Sequence, residues 1–185
     1  MESSFLSSSI KQFEYYKNLG DKTFEQLDFN EMQKEFVEDS NSISIIVKHL
    51  VGNMLSRWTN FLSEDGEKPW RNRDDEFEDT YTSKQDILIA WEIGWQCLFK
   101  ALKSLTNDDL EHIVYIRNQG HTVTEAINRQ LSHYPYHIGQ MVFLGKLIKG
   151  PQWKSLSIPK GQSKDFNVKK FGKAKSRGHF TDDLQ

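Results

Sequence analysis

Seven positions in the C-terminal half are spaced by steps of three or four: Ala126, Gln130, His133, His137, Met141, Leu144 and Ile148. That is the period of one inward-facing stripe on an α-helix, so residues 124–149 are predicted to form a long helix. Residues four apart are neighbours on a helix surface, which puts His133 and His137 side by side and directs both toward the interior. Two neutral imidazoles meeting in a core need a reason. One is a shared cation with a third ligand from another helix; the other is a pair of core histidines satisfied by ordinary hydrogen bonds. Pro135 lies between them and removes a backbone bond, so a kink or widening is expected there.

Three further stretches carry the same period. Phe5, Leu6, Ile10, Phe13, Tyr16 and Leu19 begin an amphipathic helix over residues 3–27 that runs through Gly20. Ser42 can cap a second helix, reaching about Ser63, with Ile43, Ile46, Leu50, Met54 and Trp58 as its ridge. His49 stands beside that ridge, either as a boundary histidine half in water or as the third ligand. Ser83 with Asp86 opens a third helix to about Leu105, whose Trp91, Trp95 and Leu98 read as core packing.

The connections differ in character. Residues 28–40 are acidic and lack a clean period, so they read as a loop with at most a short turn near Asn30 to Phe36. Residues 64–82 form a long charged loop broken by Gly66 and Pro69. In it Trp70, Arg71 and Arg73 can rim a pocket and hold an anionic group, or Arg71 and Arg73 can simply pair with Asp74, Asp75 and Glu76. The run from Ile113 to Val123 reads as a small β-hairpin about Asn118-Gln119-Gly120, with His121 on its second strand. Beyond Pro151 the chain is expected to lie irregularly across the helices, and residues 169–185 read as a basic, mobile tail separate from a domain over 1–168.

Composition narrows the functional classes. With 24 Lys plus Arg against 26 Asp plus Glu, the net charge of −2 gives no general attraction to nucleic acid or acidic membranes. No apolar run has membrane-spanning length and the first residues lack a secretory layout, so a cytoplasmic location is expected. The single cysteine, Cys97, excludes an internal disulfide framework and sits in a helix-core setting.

Four amphipathic helices in one chain argue for an all-α four-helix bundle, with the hairpin preceding the last helix; such bundles build metal sites from facing helices. His49, His133 and His137 then make a three-histidine set that leaves one coordination position open, as catalytic sites do. No Glu-x-x-His pairs accompany them, which disfavours a di-iron centre. Three neutral ligands leave a divalent ion its full charge, favouring hydroxide or a thiolate at the open position. Nickel, zinc and iron all suit imidazole ligands.

The segment Val47-Lys48-His49-Leu50-Val51-Gly52-Asn53 together with His133-Tyr134-Pro135-Tyr136-His137-Ile138-Gly139-Gln140 resembles the DinB/YfiT-like superfamily of metal-binding four-helix bundles. Trp70-Arg71-Asn72-Arg73-Asp74 and Trp153-Lys154-Ser155-Leu156-Ser157-Ile158-Pro159 resemble an uncharacterised bacterial branch of it. The resemblance covers residues 5–166. It implies an up-down-down-up bundle, a nickel or zinc site on His49, His133 and His137, homodimers, and S-transfer from a low-molecular-weight thiol such as bacillithiol to an electrophile. Arg71 and Arg73 are then candidates for the thiol's anionic part and Gln140 for support of a histidine ligand. The other readings are a non-catalytic, stress-related or partner-binding metal dimer and a metal-assisted hydrolase.

Overall fold

In a computed structural model, which describes residues 4–37 and 40–183, three of the long helices begin where a side-chain oxygen is available to cap them. Ser42 accepts from the Ile45 amide, Ser83 from the Asp86 amide, and Thr122 forms a reciprocal capping box with Glu125. The helices are α1 (Ser4–Gln26), α2 (Phe29–Met32), α3 (Ile43–Trp58), α4 (Lys84–Ser104), α5 (Val123–Lys149) and α6 (Ser163–Phe171). Strands β1 (Ile113–Ile116) and β2 (Gln119–Thr122) pair antiparallel just before α5, with Ile113 opposite Thr122. The chain is thus mostly helical with one small hairpin. No helix among the described residues is long and apolar enough to cross a membrane.

Several boundaries depart from the sequence reading for local reasons. α3 stops at Trp58, short of Ser63, because Thr59 turns extended and Asn60 adopts a φ of 50°. The acidic connection contains the one-turn helix α2, closed by a capping box between Asp28 and Glu31; Glu38 and Asp39 lie outside the described residues. The hairpin turn is Arg117-Asn118, both with positive φ, and not the Asn-Gln-Gly triplet. A two-residue turn needs that conformation, which is unfavourable for residues with a Cβ. The Asp65 carboxylate stabilises it by accepting from both the Arg117 and Asn118 amides at 2.8 Å.

Past Trp153 the expected irregular segment contains α6, with Asp165 in its first turn and Lys169 and Lys170 in its last, charges that complement the helix dipole. The stretch read as a mobile tail returns to α1. Ser8 hydrogen-bonds the His179 ring, Lys11 pairs with Asp182, and Phe180 packs edge-on against Tyr15. Residues 184 and 185 lie outside the described residues.

The four long helices pack through one apolar core in which Phe13, Trp91, Trp95, Leu98, Tyr134 and Ile138 are almost fully covered. Side-chain registers give the relative directions. Phe13 meets Tyr134 while Thr23 approaches Gly145, so α1 and α5 run the same way. Val51 lies against Gly94 and Thr59 near Cys97, so α3 and α4 also run together. Phe13 meets Trp95 whereas Phe24 meets Trp91, which sets α1 against α4 in opposite senses. Gly20 permits that crossing: a Cβ there would stand 2.5 Å from the Trp91 indole.

Candidate metal centre

The most buried stripe of α5 runs through Ile127, Tyr134, Ile138 and Met141, rotated slightly from the stripe the sequence suggests. His133 and His137 therefore sit at its edge, half-buried, where they are reachable from outside the core. The helix is continuous through Pro135. α3 packs against α5 on this side, and the two helices run in opposite senses, with His49 near His137 and Trp58 near Tyr134. Tyr134 holds the two together below the histidines, accepting from the Trp58 indole and donating to Asn53, both at 3.0 Å.

This packing brings the three histidines to one point. The Nε2 atom of His133 lies 3.1 Å from that of His137 and 3.4 Å from that of His49. One ligand atom from each ring falls within 4.8 Å of the others, so the group can hold a metal ion. Imidazole nitrogens at ~2.05 Å around a tetrahedral ion stand roughly 3.3 Å apart, and the two spacings from His133 Nε2 lie on either side of that figure.

The other ring nitrogens explain why the Nε2 atoms are free to converge. His49 Nδ1 lies 2.9 Å from Glu76 Oε2, His133 Nδ1 lies 3.2 Å from Gln130 Oε1, and His137 Nδ1 lies 2.8 Å from Gln140 Oε1. Oxygen acceptors place the proton on each Nδ1, which leaves three Nε2 lone pairs facing a common volume. Lone pairs so close repel unless a proton or a cation lies between them. A proton is disfavoured at neutral pH: burial, then the neighbouring imidazoles, push His133 down to about 3, and burial also lowers His137 against the opposing bond to Gln140. The donor set fits a cation.

Around His49 the surroundings are charged. Glu76 is 5 % exposed, and burial pushes its carboxyl up, but hydrogen bonds from His49 and Arg71 outweigh this and hold it below the usual carboxylate range. Arg71 forks onto it, Nε to Oε1 at 2.7 Å and Nη2 to Oε2 at 2.9 Å. The two charges offset each other, so a divalent ion here keeps most of its positive field.

The candidate residues thus fall into distinct places. His49, His133 and His137 come together, and Gln140 stands directly behind His137 while its amide nitrogen donates to Tyr136 at 3.1 Å. Arg71 points inward to Glu76. Arg73 stands apart from the cluster and forks onto Glu67, at 3.1 and 2.8 Å. Both guanidinium groups are therefore engaged by carboxylates of this chain. Sequence reasoning named Glu76 only as a possible partner of the loop arginines, which it is for Arg71, and missed its place behind His49; it also missed the role of Gln130, whose signal is its place three residues before His133.

Fold and site together define a helical protein with a three-histidine group suited to a metal ion. The chain belongs to the family described as "Protein of unknown function (DUF1572)", whose model matches residues 1–162. No curated protein and no solved structure matches the chain.

Proposed function

We propose that this protein is a divalent-metal-dependent enzyme of the DinB/YfiT-like kind, a thiol S-transferase whose ion is held by His49, His133 and His137. The observation that carries the reading is the convergence of three Nε2 atoms whose partner nitrogens are all engaged by oxygen acceptors. The up-down-down-up bundle of that superfamily accords with α1 and α5 running one way and α3 and α4 the other. Three protein ligands leave a vertex for a small molecule, which a closed structural site would not. Nickel or zinc suits the all-imidazole set, and iron also fits.

A divalent ion at this position supplies Lewis acidity that lowers the pKa of a thiol toward neutrality. This chain's residues contribute orientation and sign. Glu76, Gln130 and Gln140 fix the three imidazole tautomers, and the offset of Glu76 by Arg71 leaves a positive field that draws an anionic sulfur. In the reaction the sulfur of a low-molecular-weight, bacillithiol-like thiol forms the new bond to an electrophilic carbon. The leaving group departs with its bonding pair and the thiol proton passes to solvent. Homodimer formation is part of the proposal, supported by exposed Tyr136, Phe143 and Leu147 along one face of α5. A cytoplasmic setting fits the single, half-buried Cys97.

The test is elemental analysis of untagged protein followed by assay of the loaded protein with thiol and electrophile panels. About one equivalent of transition metal and turnover lost in His137→Ala support the reading. Absence of bound metal removes its foundation, and metal without turnover across several thiols leaves a non-catalytic metal-binding protein.

A further inference from the structure

Glu76 occupies the 3-10 turn Asp74–Phe77, in the second half of the crossover that joins α3 to α4. A buried carboxylate and a buried guanidinium both lose hydration, so their retention in the interior calls for a local role. The Arg71 side chain is 1 % exposed and makes both of its bonds to Glu76. A bidentate fork of this kind fixes the plane of a carboxylate as well as its position. The carboxylate in turn faces the Nδ1 of His49, the one histidine of the three with a charged acceptor. Room for it comes from α3 itself: a Cβ on Gly52 would stand 2.3 Å from Glu76 Oε1 and 3.0 Å from its Cδ. Glycine weakens a helix interior, so its presence at this contact has a cost that close approach of the carboxylate offsets.

We propose that Glu76, held by Arg71 in the space left by Gly52, is a positioning residue for His49 and couples the 59–83 crossover to metal loading. A cation on Nε2 withdraws electron density from the imidazole and makes its Nδ1–H a stronger donor, so the bond to Glu76 tightens when the ion binds. Coupling of this kind is reciprocal: whatever the ion adds to the Glu76 contact, that contact adds to ion binding. The crossover is therefore held more firmly in the loaded protein than in the metal-free one. This rests on the three-histidine metal reading above.

The full-length, untagged protein provides the test, with zinc affinity from chelator competition, the absorption spectrum of the cobalt(II) form, and amide hydrogen exchange with and without zinc. Glu76→Gln, which keeps the shape and loses the charge, is expected to weaken zinc about 10- to 100-fold and to shift the cobalt bands. In the wild type, zinc slows exchange over residues 67–79, and in Glu76→Gln that slowing is reduced. Gly52→Ala changes no charge and favours the helix by propensity, yet it is expected to lower zinc affinity by displacing Glu76. It has no further effect in a Glu76→Ala background, because the two act through one contact. If Glu76 variants do not fold, Gly52→Ala alone carries the test. Zinc affinity within about 2-fold of wild type with an unchanged cobalt spectrum, or exchange over 67–79 indifferent to zinc, overturns the coupling. A wild type that takes up no metal overturns the metal reading and this inference with it.

Discussion

The two sides of the histidine cluster are built in different ways. On α5, both ligands and both of their acceptors come from a single helix: Gln130 is three residues before His133 and Gln140 three after His137. Helical spacing alone brings these pairs together, and their amides are neutral. On α3 there is one ligand, and its acceptor arrives from a segment 27 positions away, carries a charge and needs Arg71 and Gly52 to hold and admit it. One half is local and uncharged; the other is tertiary and electrostatic. The α5 half should consequently survive perturbation of the crossover, whereas the α3 half should not.

The largest effect is expected from removing a ligand on the local half. His137→Ala is expected to reduce zinc affinity by more than about 100-fold, beyond the span usual for loss of an outer partner. The half-buried ring leaves little strain behind, so the helix content seen by circular dichroism stays unchanged. Retention of one equivalent of zinc by this variant would mean that the α5 pair is not part of the site.

A smaller effect comes from loosening the base of the crossover. Glu67 accepts from Arg73, reaches Arg117 of the hairpin turn at 3.3 Å and lies 3.4 Å from Arg57 of α3. Its hydrogen bonds with Arg73, against an opposing burial effect, and the nearby guanidinium charges lower its carboxyl from 4.5 to about 2. A depressed folded pKa contributes stability that is complete above the unfolded value and is lost as pH falls toward the folded one. Glu67→Gln is therefore expected to cost about 1 kcal/mol at neutral pH after solvent screening. Urea titrations should show the wild type and the variant converging as pH falls from about 5 to about 2. Parallel curves over that range would mean that Glu67 is not ion-paired in solution.

The same division between local and tertiary explains what was legible in the sequence. The long helices, the caps at Ser42 and Ser83, and the His133–His137 pair all follow from periodicity and short-range chemistry. So does Gln140, reachable by helical spacing. Three features needed the folded chain. Glu76 lies in a charged loop where Asp74, Asp75 and Glu76 are indistinguishable by pattern, and only the packing of that loop on α3 selects the third. Arg71 and Arg73 read equally as anion binders or as partners of Asp74, Asp75 and Glu76, because a sequence shows donors without showing which carboxylates occupy them; Arg71 does take Glu76, while Arg73 turns to Glu67. The hairpin turn falls on Arg117-Asn118 because Asp65, more than fifty positions earlier, supplies the acceptors that an isolated turn would lack. The helix α6 has its dipole-matched ends in the sequence, but it buries no side chain, so no apolar stripe announced it.

The smallest effect is expected behind His137. Gln140→Ala removes the acceptor for Nδ1 at 2.8 Å and the amide bond to Tyr136, yet the site is half-buried and water can take the place of the lost oxygen. The ring keeps its orientation from the helix and from Tyr136, whose ring lies 4.8 Å from it. Zinc affinity should fall only about 3-fold, near 0.6 kcal/mol, below the roughly 10- to 100-fold usual for loss of an outer partner. Measured beside Glu76→Gln by the same chelator competition, this pair orders the two halves directly. A loss at Gln140 equal to or larger than that at Glu76 would reverse the assignment and make the local half the more dependent one.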